Sequence, residues 1–247
     1  MDRLIHTSMS ALRASMQRQA ANANNLANAN TVGFKAEMSA AQSLWLQGGA
    51  HQTRAFAAES VLDADMKSGT VNQTGRTLDI ALDGDALLAV QATNGEEAYT
   101  RRGDLDMSDS GLLTNGDGTP VMGQDGPITL PPFDSLKIDR DGAIWIVPPG
   151  GEPANPQLIE RLKLVSPVGS TVAKGLDGLF RVKGGGALPA DPTAKIIPES
   201  LEGSNVEPTR ALVEMIESSR AWDTHIKLVT TARDIDDATA DLMRIPN

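Results

Sequence analysis

Apolar residues at both ends of this chain recur at alternating steps of four and three, which limits what the two ends can form. A helix with such a heptad repeat carries one narrow apolar stripe, which packs against another helix. The N-terminal repeat is Ile5, Met9, Leu12, Met16, Gln19, Ala23 and Leu26. The C-terminal repeat is Leu212, Met215, Ser219, Trp222, Ile226, Val229, Ala232, Ile235, Ala238 and Leu242. The spacing predicts a long helix at each end, and the matching repeats predict that the two helices pack on each other.

The predicted N-terminal helix ends in a stretch rich in asparagine, ANANNLANANTVGFK. Asparagine favours caps and turns over helix interiors, so its frequency here needs a physical reason. We predict that Asn24, Asn25 and Asn28 lie inside the helix, with amides that bond to neighbouring helices at a fixed register. Asn30 is assigned to a fraying helix end, and Gly33 is predicted to supply the left-handed turn that follows it.

The start of the C-terminal helix is marked by the stretch GSNVEPTRALVEMIESSR. Asn205 or Ser204 is the candidate cap, Glu207 lies in the predicted first turn, and a proline stands close to it. This pattern is typical of a helix N-terminus.

Between the two predicted helices, the pattern of apolar residues divides the sequence into two regions. Residues 36–75 have no sustained periodicity, which suggests an extended connector. From residue 76 to 197, short apolar runs alternate with turn dipeptides whose Asn, Asp and Gly residues accept positive φ angles. The dipeptides are Asp83-Gly84, Asn94-Gly95, Ser110-Gly111, Asn115-Gly116, Asp117-Gly118, Asp125-Gly126, Asp141-Gly142 and Asp177-Gly178. The predicted fold is therefore α+β: a helix over 1–35, a connector, a mainly antiparallel all-β domain, and a connector and helix over 198–247, with the two helices pairing as a coiled-coil-like layer.

Composition excludes several classes of protein. The chain carries a formal net charge of −10 over 247 residues and contains no cysteine. Nucleic acid is not an expected partner, because binding a phosphate backbone needs clustered Lys and Arg. The absence of cysteine rules out disulfides, thiolate catalysis and Cys-based zinc sites. No run of about 18 apolar residues predicts a membrane span, and the first residues lack the apolar core of a Sec signal.

Catalytic and metal-binding patterns are weak throughout the chain. The Asp-rich run DLDMSDSG lacks the spacing and the terminal Glu of an EF-hand loop, so turn-forming Asp on a hairpin is the preferred interpretation. His6, His51 and His225 are widely separated and lack a third metal ligand. The sequence contains no Gly-x-Ser-x-Gly elbow, Walker A loop or dinucleotide fingerprint. We expect no enzymatic activity, cofactor or metal.

Two terminal motifs resemble those of a known family. ANNLANANTVGFK is similar to the N-terminal motif of the bacterial flagellar rod and hook proteins, and LEGSNVEPTRALVEMIESSRAWDTHIKLVTTARDIDD resembles their C-terminal motif. Central stretches, among them TLDIALDGDALLAV, YTRRGDLDMSDSGLLT and GLDGLFRV, look most like the proximal rod branch of the family. Hook proteins normally carry a much larger central insertion, so the length of this chain counts against them.

The resemblance implies a structural role. Such proteins are exported unfolded by the flagellar type III apparatus without a cleaved signal, and they polymerise as a hollow rod through the periplasm. Their terminal helices form the layer around the channel, with the β domain outside. The expected partners are further copies of the chain, FlgC-like proximal subunits and FlgG-like distal subunits. The alternatives are a FlgG-like distal subunit and, as a different class, a secreted carbohydrate-binding β domain with oligomerising helical ends.

The candidate assembly residues come from the two helical repeats and the two motifs. We expect Trp222 to lie at a subunit contact, because an indole buries more area than the ring of Tyr or Phe would. The full set is Ile5, Met9, Leu12, Met16, Asn24, Asn25, Leu26, Asn28, Gly33, Phe34, Asn205, Val206, Leu212, Met215, Ile216, Trp222, Ile226, Val229, Ile235 and Leu242.

Overall fold

Two long helices stand at the ends of the chain, where the heptad repeats predict them. In the computed structural model, which describes residues 2–45 and 55–242, they are α1 (Asp2–Ala27) and α2 (Pro208–Leu242). The regular elements described between them are strands, most of them short. The prediction of an α+β protein with a β-rich domain is therefore confirmed.

The strands form several antiparallel groups. Their bounds are β1 Glu37–Trp45, β2 Ala55–Ala64, β3 Val71–Gln73, β4 Ile80–Leu82, β5 Leu87–Gln91, β6 Glu97–Thr100, β7 Leu105–Met107, β8 Leu113–Asn115, β9 Ser135–Ile138, β10 Ala143–Val147, β11 Gln157–Arg161, β12 Leu164–Val165, β13 Val172–Lys174, β14 Phe180–Val182, β15 Ile196–Pro198 and β16 Ser200–Glu202. A five-stranded sheet has the order β12-β5-β6-β14-β13, and a three-stranded sheet has the order β11-β10-β9. The remaining pairs are β1-β2, β15-β4, β16-β3 and β7-β8.

The chain divides into two compact units. The helical unit comprises Met1–Ala27, Glu37–Asp63 and Glu207–Asn247, and the β unit comprises Asn28–Ala36 and Ala64–Val206. The division differs from the predicted domain boundaries, because the short segment after α1 belongs to the β unit. Strands β1 and β2, which pair with each other, lie in the region predicted to be an extended connector. Their Ala, Ser and Gln residues lack the strict alternation on which a strand prediction depends.

The core of the β unit consists of two apolar clusters. Alternate side chains of β5 enter different clusters: Leu88 and Val90 pack in the larger one, and Leu87 and Ala89 in the smaller. Successive side chains of a strand point to opposite faces, so β5 is buried on both sides. The larger cluster also receives Ile144 and other residues of β9 and β10.

Tight turns connect these short strands, as the dipeptides predict. Every glycine of the predicted turn pairs has a positive φ except Gly116. The stretch LKIDRDGAIWIV forms β9, a turn closed by a hydrogen bond from Gly142 N to Asp139 O, and β10. The turn predicted at Asp141-Gly142 is confirmed and joins two antiparallel strands.

Helix α1 ends at Ala27, earlier than the asparagine stretch suggested. Asn28 therefore lies outside the helix, and the prediction that it lies inside is wrong. Its backbone carbonyl accepts from Thr31 N and its side chain accepts from the Thr31 hydroxyl, at 3.1 Å each, so it begins a turn. Gly33 then has a φ of 66°, which confirms the predicted left-handed turn.

Asn25 makes its amide hydrogen bonds within the chain. Its Nδ2 donates to Glu37 O at 2.9 Å, and Glu37 N donates to Asn25 Oδ1 at 2.7 Å. The Asn25 amide thus makes the same two hydrogen bonds to the backbone of Glu37, the first residue of β1, that the backbone of a paired strand would make. Asn24 Nδ2 also donates to the Glu37 carboxylate at 2.7 Å. Both amides fix the return of the chain after α1, a role that differs from the predicted bonds to neighbouring helices.

Candidate functional site

A cluster of three buried charges in the β unit joins segments that are far apart in sequence. Lys35, Arg101 and Glu202 (the charge cluster) are each 1% exposed. Lys35 lies in the segment after α1, Arg101 follows β6, and Glu202 ends β16, which pairs with β3. Isolated charges are costly to bury, so such a cluster persists only when each member is paired and hydrogen-bonded.

Arg101 has a partner for each of its five N–H groups. Nε and Nη2 donate to Glu202 Oε2 at 2.9 and 2.5 Å. Nη2 also donates to Leu82 O at 3.1 Å, and Nη1 donates to Gly84 O and Ala86 O at 2.6 and 2.8 Å. The planar guanidinium is suited to this arrangement, since its donors have a fixed fork geometry. Arg101 thereby holds the turn between β4 and β5 against the end of β16.

Lys35 approaches the other oxygen of the same carboxylate. Its Nζ donates to Glu202 Oε1 and to Lys67 O at 2.7 Å each, and Gly69 N donates to Oε1 at 2.8 Å. Burial lowers the pKa of Lys35; the hydrogen bond to Glu202 opposes this change, and the charge of Arg101 adds to it. The cluster holds two cations and one anion, so Glu202 is the group on which both cations depend.

The backbone around Lys35 is held by the segment that leads into α2. Gly33 N donates to Glu202 O at 2.7 Å, and Asn205 N donates to Phe34 O at 3.3 Å. Lys174 adds a cation–π contact, with its Nζ 3.8 Å from the centre of the Phe34 ring. A Cβ on residue 33 would collide with the Arg101 carbonyl, so the backbones approach closely at this glycine.

Asn205 ties three segments together by its side chain. Its Oδ1 accepts from Ala36 N at 2.8 Å, and its Nδ2 donates to Asp65 O and Lys67 O at 2.7 and 3.0 Å. The prediction that Asn205 or Ser204 caps α2 is wrong, because α2 begins at Pro208, the Asn205 amide is used elsewhere and the Ser204 hydroxyl accepts from Val206 N. The segment after α1 and the segment before α2 therefore lie side by side in the β unit.

Tyr99 lies in β6, two residues before Arg101 of the charge cluster, and is fully buried. Its hydroxyl donates to Glu97 Oε1 at 2.9 Å and accepts from Leu188 N at 2.5 Å. Burial raises the pKa of Tyr99 to about 12; the Leu188 amide opposes this change and the hydrogen bond to Glu97 adds to it.

The ionisation of Tyr99 gives a direct test of this packing, because it is the only tyrosine in the chain. We expect tyrosinate absorbance to rise with a midpoint near pH 12 in the folded protein and near pH 10 in urea. The folded state then holds the phenolic proton more tightly than the unfolded chain, so stability falls as pH rises from about 10 to about 12. A native midpoint equal to the urea value would contradict the buried, hydrogen-bonded hydroxyl.

Within the helical unit, α1 packs against α2, and the buried residues of both helices are small or polar. In α1 they include Ala14, Ser15 and Ala21, and among the α2 residues whose burial is described they are Ala211 and Ser218. Small side chains allow two helix axes to come close together. On α2, Met215, Trp222 and Val229 lie on the same side as Ala211 and Ser218 and are partly buried, so the covered face carries some large apolar residues while others remain exposed.

Large apolar residues of both helices remain about half exposed. Met16 in α1 is 54% exposed and Ile216 in α2 is 52% exposed. Leu212, Ile216 and Ile226 share one side of α2, because spacings of four and fourteen residues are close to whole turns at about 3.6 residues per turn. The exposed apolar residues of the two helices are Met9, Met16, Leu212, Val213, Ile216, Ile226, Leu228 and Ile235.

The other predicted assembly residues fall into three groups. Asn25 and Gly33 are buried. Ile5 and Leu242 lie in α1 and α2 near the chain ends. Those of intermediate burial are Leu12, Asn24, Leu26, Asn28, Phe34, Asn205, Val206, Met215, Trp222 and Val229. Gly33, Phe34 and Asn205 contribute to the surroundings of the charge cluster, whereas the apolar helix residues do not.

Sequence reasoning did not identify the charge cluster. Its three members lie in segments quoted above for their resemblance to a family. Lys35 ends TVGFK, Arg101 belongs to YTRR and Glu202 belongs to LEGSN. The sequence signal for a buried charge was a charged residue next to apolar residues and glycine. It does not reveal which charges pair, because 167 residues separate Lys35 from Glu202.

The described residues offer no metal centre and no membrane helix. Within residues 2–45 and 55–242, His, Cys, Asp and Glu side chains form no group of three or more that could hold a metal ion. Over those same ranges, neither helix has the length and apolar character needed to cross a membrane.

Comparison with known families identifies the class of protein. Residues 5–35 match the flagella basal body rod protein family, residues 81–146 match the flagellar hook protein FlgE/F/G D1 domain, and residues 197–242 match the flagellar basal body rod FlgEFG protein C-terminal family. The two terminal matches contain Lys35 and Glu202, and the central match contains Arg101. The chain is a structural component of the flagellar basal-body rod.

Individual relatives narrow the assignment. The flagellar basal-body rod protein FlgF of Salmonella typhimurium strain LT2 is 40% identical over 237 residues, which cover 94% of each chain. FlgF of Escherichia coli strain K12 is also 40% identical, over 95% of each chain. FlgG of Bacillus subtilis strain 168 is 29% identical over 90% of this chain and 91% of its own. The chain belongs to the FlgF family of rod proteins, and the rod is built with other proteins of the same kind.

Proposed function

We propose that this subunit polymerises through its terminal helices, which together form a coiled-coil-like layer around the channel of a hollow rod. The supporting observation is that several large apolar side chains of α1 and α2, among them Met16, Leu212 and Ile216, are about half exposed. Removing apolar surface from water lowers the free energy of the system. A neighbouring subunit that packs on these side chains would remove them from water. Contacts between different faces of successive subunits generate an open helical assembly.

The proposed place of the subunit is the proximal rod, in the periplasmic drive shaft between motor and hook. FlgC-like subunits are its expected neighbours on one side and FlgG-like subunits on the other. The higher identity to FlgF than to FlgG supports this position over the FlgG-like alternative. A secreted carbohydrate-binding domain has no support from any of the relatives.

Export through the flagellar type III apparatus, without a cleaved signal, is part of the same proposal. It is supported by the matches to the flagellar rod families. The role is mechanical, so the chain is expected to carry torque and to catalyse no reaction.

Replacing Ile226 with aspartate tests the helical surface. The change places a carboxylate among the exposed apolar residues of α2, where an assembled neighbour would bury it unpaired at a cost of several kcal/mol. We expect incorporation into isolated basal bodies, and swimming in soft agar, to fall at least about tenfold. The unfolding free energy of the β unit should change by less than about 0.5 kcal/mol, as is usual for a substitution on an exposed surface.

Thr224→Asp is the matched control, because it adds the same charge to an exposed position of α2 without removing apolar area. It should leave incorporation close to the wild-type level. Normal incorporation of Ile226→Asp would refute assembly through this surface. Equal loss of incorporation and β-unit stability would show that Ile226 belongs to the folded core instead.

A further inference from the structure

Arg101 and Glu202 form a complete pair without Lys35. Their charges cancel, the five guanidinium N–H groups are satisfied by Glu202 and by three carbonyls, and Gly69 N donates to the remaining carboxylate oxygen. A paired and fully hydrogen-bonded ion pair of this kind is stable in the interior of a protein. Lys35 is thus a third charge added to a pair that is already neutral.

Residues 31–36 (the docked segment) reach this pair mainly through backbone groups and the Lys35 ammonium. Gly33 N and Phe34 O form hydrogen bonds with backbone atoms of Glu202 and Asn205, while Ala36 O accepts from Asp65 N at 2.8 Å. Peptide segments that bind protein surfaces combine backbone hydrogen bonds with specific side-chain contacts in the same way.

Three features make the contact selective for a particular sequence. Gly33 is required because its φ is positive and a Cβ would collide with Arg101 and Arg102 backbone atoms. The aromatic ring of Phe34 lies under the Lys174 ammonium. The Lys35 ammonium finds a carboxylate oxygen and a carbonyl, both at 2.7 Å.

We infer that the β unit carries a preformed binding site for a Gly-Phe-Lys segment whose glycine is in a left-handed turn, and that the chain's own residues 33–35 occupy it. The site consists of Glu202, the backbone of residues 67–69, Asn205 and Lys174. Docking of the segment attaches the chain that leaves α1 to the β unit. The site is independent of the helical surface through which the subunit is proposed to polymerise.

A full-length variant with Gly33→Ala and Lys35→Met leaves the site open for a probe. The probe is a fluorescein-labelled peptide NANTVGFKAE, which corresponds to residues 28–37, and its binding is followed by fluorescence anisotropy. We expect it to bind the variant at least tenfold more tightly than it binds the wild-type chain, whose own segment competes. A control peptide with Lys35→Met should bind the variant at least tenfold more weakly than the native peptide.

The folding of the variant is checked by urea unfolding and by the Tyr99 absorbance titration. A cooperative transition and a Tyr99 midpoint that stays near 12 show that the β unit folds without the docked segment, as the inference requires. If the β unit loses its cooperative transition, the segment is part of the core and the inference is wrong. Equal binding of the two peptides, or no binding to a folded variant, would also overturn it.

Discussion

Replacing Glu202 with glutamine is expected to destabilise the β unit by about 3 to 5 kcal/mol, the usual cost of leaving buried charge without its partner. The substitution keeps the shape of the side chain but leaves Lys35 and Arg101 buried without a counter-charge, since both ammonium and guanidinium point at this carboxylate. Urea unfolding followed by near-ultraviolet circular dichroism measures the change. For a β unit of ordinary stability, this loss is a large fraction of the whole free energy of unfolding.

Glu152→Gln is the matched control, because Glu152 lies exposed in the loop between β10 and β11. It should change stability by no more than about 0.5 kcal/mol. Lys35→Met should cost less than Glu202→Gln, because it leaves a neutral Arg101–Glu202 pair. A Glu202→Gln variant as stable as the control would mean that the carboxylate does not hold the two cations together.

Replacing the cluster by apolar residues is not expected to restore stability, although this succeeds for some buried ion pairs. Arg101 also satisfies the carbonyls of Leu82, Gly84 and Ala86. An apolar side chain would leave these acceptors buried without donors, at about 1 to 3 kcal/mol each. Arg101 therefore stabilises the β unit as a hydrogen-bond donor to these carbonyls as well as through its charge.

Replacing Gly33 with alanine is expected to release the docked segment and to cost about 3 kcal/mol. Part of the cost is conformational, because an L-residue at a φ of 66° is strained by about 1 to 2 kcal/mol. The rest is steric, because the new Cβ would overlap the backbone at Arg101 and Arg102, which cannot rotate away as a flexible side chain can. Urea unfolding measures the loss, and rod incorporation should fall with it.

Gly118→Ala separates the two causes. Gly118 has a φ of 77°, and a Cβ there would meet nothing within 4 Å. We expect this variant to lose only about 1 kcal/mol, as for other left-handed glycines in open turns. Equal effects at the two positions would show that the approach of residue 33 to Arg101 adds nothing to stability.

Local pattern was sufficient for the secondary structure at both ends and for the turns. The apolar repeats identified α1 and α2, and the Asp-Gly and Asn-Gly pairs identified most turns with a positive φ, because both depend on neighbouring residues. The amides of the asparagine stretch were harder to assign. Asn25 pairs with Glu37, and no local rule distinguishes that partner from a neighbouring helix.

The sequence by itself determined the helical ends, the strand-rich centre and the family, since periodicity, turn chemistry and motifs are properties of short segments. Only the tertiary structure decided which face of each helix is covered and which charges pair. Ala14 and Ala211 are buried while Met16 and Ile216 are exposed, a choice that depends on packing between segments at opposite ends of the chain. The pairing of Lys35 and Arg101 with Glu202 has the same origin: buried charges need partners, and the fold alone brings these three together.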